Sequence, residues 1–348
     1  MNIPLLPILI ASITTFVAIL LLRPFALSVG LVDKPNSRKQ HTGSVPLIGG
    51  ITMYLGAVIS IFVTSNDFNQ FNYLFLATLI LIIIGIIDDR LNISVSLRLA
   101  IQILVAMIIV TLGDTTIGSF GSLFGNGSII LNEWGYFISV LAIITAMNAI
   151  NMLDGLHGLA GGSSLITFLA ILYLSIDSAS QGIILILFLC CSVLPVFLIH
   201  NLCLGVSKSK RIFMGDAGSL VIGLMIVWFL LKLSQGEARS FAPVTALWLF
   251  AVPLVEMFAV IFRRLASGKS PFKPDLSHAH HILIRSSFGE KSTLIVLLIF
   301  SFLMAVIGIL GEQYGIPEWV MFVGFLLIFV VHIFLHKVFV RNIKSDIK

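Results

Sequence analysis

Runs of about 18 to 22 apolar residues recur from one end of this 348-residue chain to the other. A helix of that length crosses a hydrocarbon core of about 30 Å with every backbone group paired internally. Eleven such runs stand out, at 3–22, 47–64, 72–87, 99–113, 135–150, 159–176, 182–200, 217–233, 244–262, 293–311 and 318–337. They predict an all-α, polytopic integral membrane protein of about eleven transmembrane helices. Only 11% of the residues are charged, where a soluble domain carries about 25%. Between the fourth and fifth runs, the Gly- and Ser-rich stretch from Gly118 to Gly127 reads as a loop or a re-entrant turn.

Charge sets the orientation. No charged residue precedes Arg23. A signal peptide leads with basic residues and ends at a small-residue cleavage site, so 3–22 reads as an uncleaved helix with its N-terminus outside. Eleven crossings from that start place the C-terminus in the cytoplasm and put 19 of the 21 Lys and Arg residues inside, leaving only Lys232 and Arg239 outside. That is the bias the positive-inside rule requires. It also accounts for the pI near 9.2 without any nucleic-acid partner. Cys190, Cys191 and Cys203 have neither metal-like nor disulfide-like spacing. With no repeat and no second soluble unit, residues 1–348 read as one transmembrane domain.

The same topology sends every polar cluster to the cytoplasmic side, in segments 32–50, 88–98, 148–162, 201–218 and 263–292. Acids are scarce in such a chain and costly near lipid, so their placement carries information. Asp88 and Asp89 are adjacent and repel unless a cation intervenes. A solvated helix end is the plain alternative, but two more Asp motifs face the same side. Oxygen ligands with no cysteine partner suit Mg²⁺ or Mn²⁺, which substrate phosphates commonly complete. Asp216 lies between Gly215 and Gly218, where it reads either as a ligand or as a plain helix cap. The same two readings hold for Asn151 and Asp154. His278, His280 and His281 share a segment with Arg263, Arg264, Lys269 and Lys273. With no cysteine near, zinc is a poor fit; a polyanionic substrate is a better one. A basic loop held against anionic lipid would explain the charges but not the histidines. A transporter would want ionisable groups and broken helices at the midplane, and an inert scaffold would not need four acid-bearing motifs facing a basic loop. The pattern therefore points to metal-assisted phosphoryl transfer between a soluble substrate and a lipid-borne one.

Seven motifs together resemble the polyprenyl-phosphate N-acetylhexosamine-1-phosphate transferases, nearly end to end. They are Val32-Asp-Lys-Pro-Asn36, Pro46-Leu-Ile-Gly-Gly50, Asp88-Asp-Arg90, Asn148-Ala-Ile-Asn-Met-Leu-Asp-Gly155, Phe213-Met-Gly-Asp-Ala-Gly-Ser219, Ser270-Pro-Phe-Lys-Pro-Asp275 and His278-Ala-His-His281. Asp-Asp-Arg and His-x-His-His resemble the GlcNAc branch more than the MurNAc-pentapeptide branch. The resemblance implies transfer of GlcNAc-1-phosphate from UDP-GlcNAc to undecaprenyl phosphate in a bacterial inner membrane, with Mg²⁺ or Mn²⁺. It implies catalytic roles for Asp88, Asp89, Asp154 and Asp216, with Asp216 and Asp88 on the metal. It implies substrate contacts from Asn148, Asn151, Arg263, His278, His280, His281, Lys39 and His41. A homodimer is compatible with the sequence. Three positions depart from the family pattern: Asn92 where an acid is common, His157 in place of the second Asp of Asp-Gly-x-Asp-Gly, and Glu256 in place of Asp.

Overall fold

The computed structural model describes residues 3–34, 43–64, 69–268, 278–286 and 289–346. Every one of the eleven apolar runs lies on helix. In chain order the helices are α1 Leu5–Val29, α2 Gly49–Thr64, α3 Asn72–Leu91, α4 Val95–Thr111, α5 Trp134–Leu153, α6 Leu159–Ser175, α7 Gln181–Asn201, α8 Gly215–Ser234, α9 Pro243–Leu249, α10 Ala251–Ala266, α11 Ala279–Arg285, α12 Glu290–Gln313 and α13 Glu318–Asp346. Among the described residues, seven are long and apolar enough to cross a membrane, and α9 with α10 would make an eighth. Helices α2, α4 and α6 are apolar but only 16 or 17 residues long. Length and composition thus support seven or eight crossings of a multi-pass membrane protein.

Two features depart from the sequence reading. The chain is not purely helical, because β1 (Val32–Asp33) pairs antiparallel with β2 (Val45–Pro46). And the run 244–262 is not one helix: α9 and α10 meet at 81° around Phe250. Pro253 is the cause. Its ring has no N–H and would collide with the carbonyl four residues back, that of Leu249. The helix stops at Leu249 and restarts so that Pro253 falls in its first turn, where no N–H is needed. The freed Leu249 carbonyl accepts the Thr167 hydroxyl at 2.8 Å, which meets the demand of a dry interior that every carbonyl be paired.

Helix α8 is the hub. Apolar residues surround it on all sides, the pattern of a helix buried on every face, and 17 of its 20 residues are buried. Neighbours approach it through small residues, as helices in lipid do. A Cβ on Gly50 of α2 would overlap the Gly218 backbone, and one on Gly85 of α3 would overlap Ala217. These contacts lock the ends of α2, α3 and α8 together on one side of the bundle. On the opposite side, residues 118–131 form a small hairpin, in which the Phe120 amide donates to the Ile129 carbonyl and the Ile129 amide to that of Gly121. Gln235 of the α8 end holds it through the Gly118 and Ser119 amides, and Glu318 of α13 through that of Ser122. It is a loop fixed to the far end of the bundle.

Candidate active site

The motif acids converge because of how their helices end. Helix α3 terminates at Asn92, in the left-handed region at φ 50°, a conformation Asn tolerates better than most residues. The chain turns there and Ser94 caps α4, its side chain accepting from the Leu97 amide at 3.3 Å. This tight turn folds Arg98 back onto Asp88: Nη1 lies 3.2 Å from Oδ2, and the Ile93 amide donates to Oδ1 at 3.0 Å. Asp88 is 5% exposed, so it is not a solvated helix end. Arg98 also reaches Asp216, at 3.7 Å, and the Asp88 and Asp216 carboxylates are within hydrogen-bonding reach of each other.

Asp89 faces the opening of α8. Its Oδ1 accepts the Asp216 amide at 2.9 Å. The residue at the cap position, Met214, contributes no side-chain bond. A carboxylate from α3 therefore meets an orphan amide of α8 and sits on the positive end of its dipole. Gly215 makes this approach feasible. Its φ is +74°, and a Cβ there would stand 2.5 Å from Asp89 Oδ2. That Oδ2 is buried and has no protein partner.

Asp216 lies within the first turn of α8 rather than at its cap, and its side chain turns away from the backbone. Oδ1 accepts from Asn151 Nδ2 at 2.6 Å, and the same amide donates to Ser219 Oγ at 2.9 Å. This removes the plain-cap reading of Asp216 and fixes Asn151 as its immediate neighbour. Asn148, one turn earlier on α5, is directed elsewhere: Nδ2 donates to Gln102 Oε1 of α4 at 2.7 Å.

Beyond Asn151, α5 ends at Asp154, and the turn 154–158 leads into α6. Asn201 ties this turn down, accepting the Gly158 amide at 2.7 Å and donating to the Ile212 carbonyl at 2.9 Å. Pro46 accepts the Phe213 amide, and the Gly49 and Gly50 amides donate to Phe213 and Met214. The Gly-Gly motif thus braces the Gly-Asp motif. His157 stacks on Phe213 with ring centroids 4.8 Å apart, so an aromatic ring occupies the place of the expected acid.

Helix α11 covers this turn. His280 is 2% exposed, and a Cβ on Gly155 would come within 2.6 Å of its Nε2, which is buried without a partner. Burial, aided by His281 and His278, pushes its pKa down to about 3. It is therefore a neutral imidazole near pH 7. The His280 and His281 rings are 4.2 Å apart, and those of His278 and His280 5.5 Å. Arg263 lies in the last turn of α10. Lys39 and His41 fall outside the described residues, as do Asn36 and 270–275.

Asp88, Asp89 and Asn151 thus all meet Asp216, with the Asp154–His157 turn and α11 alongside. Arg98 and Ser219 join them without having stood out in the sequence. Arg98 had one signal: only three residues separate α3 from α4, so the first turn of α4 must lie beside the last turn of α3.

A half-buried carboxylate cluster bridged by an arginine at one end of an apolar bundle is the setting of a membrane enzyme. Comparison with known proteins narrows it. Residues 71–234, which carry Asp88 through Asp216, match the model for glycosyl transferase family 4. The chain is 40% identical over 335 residues to the undecaprenyl-phosphate alpha-N-acetylglucosaminyl 1-phosphate transferase of Haemophilus influenzae, covering 94% of this chain and 93% of that one. It is 38% identical over 312 residues to the Escherichia coli K12 protein of that name, covering 89% and 84%. For the Yersinia pestis protein the identity is 37% over 311 residues, covering 89% and 85%. The chain belongs to the polyprenyl-phosphate N-acetylhexosamine-1-phosphate transferases and is a phosphoglycosyl transferase of glycosyl transferase family 4.

Proposed function

We propose that this enzyme transfers GlcNAc-1-phosphate from UDP-GlcNAc to undecaprenyl phosphate. An oxygen of the lipid phosphate attacks the sugar-bearing phosphorus, the bond to the bridging oxygen of UMP breaks, and undecaprenyl-diphospho-GlcNAc and UMP result. The observation that carries the reading is the Asp88–Arg98–Asp216–Asn151 cluster at one end of the bundle, together with relatives that bear this activity in their names.

The residues suit a hard divalent cation, Mg²⁺ or Mn²⁺. Among the described residues no group of three or more His, Cys, Asp or Glu side chains is placed to hold a metal ion. Mg²⁺ uses one or two carboxylates and leaves its other positions to water and phosphate. Asp216, held by Asn151, would be the first ligand and Asp88 the second. The cation supplies charge neutralisation on the diphosphate. Asn151 sets the Asp216 rotamer, Arg98 offsets the repulsion between Asp88 and Asp216, and Asp89 fixes the start of α8. Asp154 and α11 face the nucleotide sugar. A lipid phosphate is already an oxyanion near neutral pH, so the chemistry needs alignment more than a strong base.

This reading places the cluster on the cytoplasmic face of a bacterial inner membrane, with eleven crossings, the N-terminus outside and the whole chain as one transferase domain. Release of labelled UMP from UDP-GlcNAc by purified protein is the test. It should require both undecaprenyl phosphate and a divalent cation, and Asp216→Asn should abolish it. UMP release without lipid phosphate would refute acceptor transfer. Preference for UDP-MurNAc-pentapeptide or UDP-GalNAc would refute the donor.

A further inference from the structure

Glu256 is 6% exposed on α10, half of a bent apolar helix pair long enough to cross a bilayer, and the sequence offers it no obvious employment. An acid at that depth is costly unless paired. It has two partners on two other helices. Its Oε2 accepts the amide of Ala279, the first residue of α11, at 3.1 Å. Its Oε1 lies 2.9 Å from His332 Nε2 of α13. Helix α11 has only seven residues, too few to persist in isolation, and His278 at its cap position makes no side-chain cap bond. One of the orphan amides at the start of α11 is satisfied from α10 instead. One residue further on, His280 rests against Gly155, beside Asp154. Contacts therefore run from the last membrane helix to the nucleotide turn: His332, Glu256, Ala279, His280, Gly155.

We propose that Glu256 and His332 are positioning residues that hold the histidine helix α11 against the donor site, making α13 part of the donor-binding apparatus. The proposal rests on the reading of the 154–157 turn and α11 as the nucleotide-sugar side. Glu256 does not touch substrate; it acts through α11. Its longer reach compared with aspartate is what lets one carboxylate meet α11 and α13 at once.

The test combines kinetics with hydrogen exchange on the full-length enzyme. Glu256→Leu should raise the KM for UDP-GlcNAc at least tenfold while the KM for undecaprenyl phosphate stays within twofold. Amides 279–285 should exchange at least tenfold faster. Glu256→Gln keeps an acceptor for the Ala279 amide and should recover most of the donor affinity. If Glu256→Leu does not fold, His332→Leu reads the same split by removing the other partner. A merely structural pair would lower the yield of active enzyme and leave both KM values alone. Unchanged exchange in α11 overturns the proposal whatever the donor is, and faster exchange with an unchanged donor KM overturns it as well. If wild-type enzyme released no UMP from UDP-GlcNAc, the proposed reaction would fail, but the exchange result would still decide whether Glu256 holds α11.

Discussion

Replacing Asn151 with alanine isolates the contact that orients Asp216. Asn151 Nδ2 donates to the Asp216 carboxylate at 2.6 Å and to the Ser219 hydroxyl at 2.9 Å. A hydrogen bond to a charged group contributes about 1.5–3 kcal/mol, a neutral one about 1 kcal/mol. The Asp216 side chain is 31% exposed, so water replaces part of the first bond and its lower range applies. The sum is about 2–3 kcal/mol, roughly 30- to 150-fold in kcat/KM. The loss should take a specific form. Without the amide, Asp216 swings toward Arg98 and serves the cation less well, so the Mg²⁺ concentration for half-maximal rate should rise about tenfold. Ser219→Ala removes only the neutral bond and should cost less than about fivefold. Steady-state UMP release across a Mg²⁺ series measures both variants. A folded Asn151→Ala enzyme within threefold of wild type, with unaltered metal demand, would refute the assignment of Asn151 as the residue that sets Asp216.

Three further outcomes are expected. Gly50→Ala puts a methyl into the Gly218 backbone, which cannot yield as a flexible side chain can, and should destabilise the α2–α8 crossing by about 1–3 kcal/mol; thermal unfolding in detergent should show it, while Gly289→Ala, in open space, should leave Tm unmoved. His280 has a folded pKa near 3 against an ordinary value of 6.5, so between those values the unfolded chain binds the extra proton and stability falls as pH drops, by up to about 1.4 kcal/mol per pH unit; His280→Gln should flatten the decline in Tm between pH 6.5 and 5, and an identical slope in both proteins would remove His280 as its source. In a background lacking Cys190, Cys191 and Cys203, a cysteine at 92 should be shielded from impermeant reagent in intact cells and one at 237 labelled; the reverse pattern would invert the topology.

The helical runs were legible because burial in lipid and burial in a membrane-protein core both demand apolar residues, so composition alone outlined where the helices fall. The break at Phe250 was written as Pro253, but its consequence depended on Thr167 standing ready to take the stranded carbonyl. The acids at 88, 89 and 216 were legible as a group because charge is rare in this chain. Their division of labour was not. Asp89 and Asp88 are neighbours in sequence, yet one meets the start of α8 and the other meets Arg98, a difference set by the 100° between successive helical residues and by which helix packs on each side. His280 stood out only as one of three clustered histidines. Only its burial against Gly155 shows it to be neutral, and burial is not written locally.

The capping of α8 by Asp89 has a consequence for biogenesis. The two residues joined by that bond are 127 positions apart. At synthesis rates of about 5–20 residues per second, α8 emerges roughly 6 to 25 seconds after α3. Throughout that interval Asp89 has no amide to meet, and its carboxylate belongs in the aqueous interface rather than inside the bundle. The Asp88–Asp89–Asp216 cluster does not exist in any chain that stops before Gly215; it needs α8 packed against helices made earlier. The cluster therefore forms only after two distant stretches of the chain have both been made and packed together.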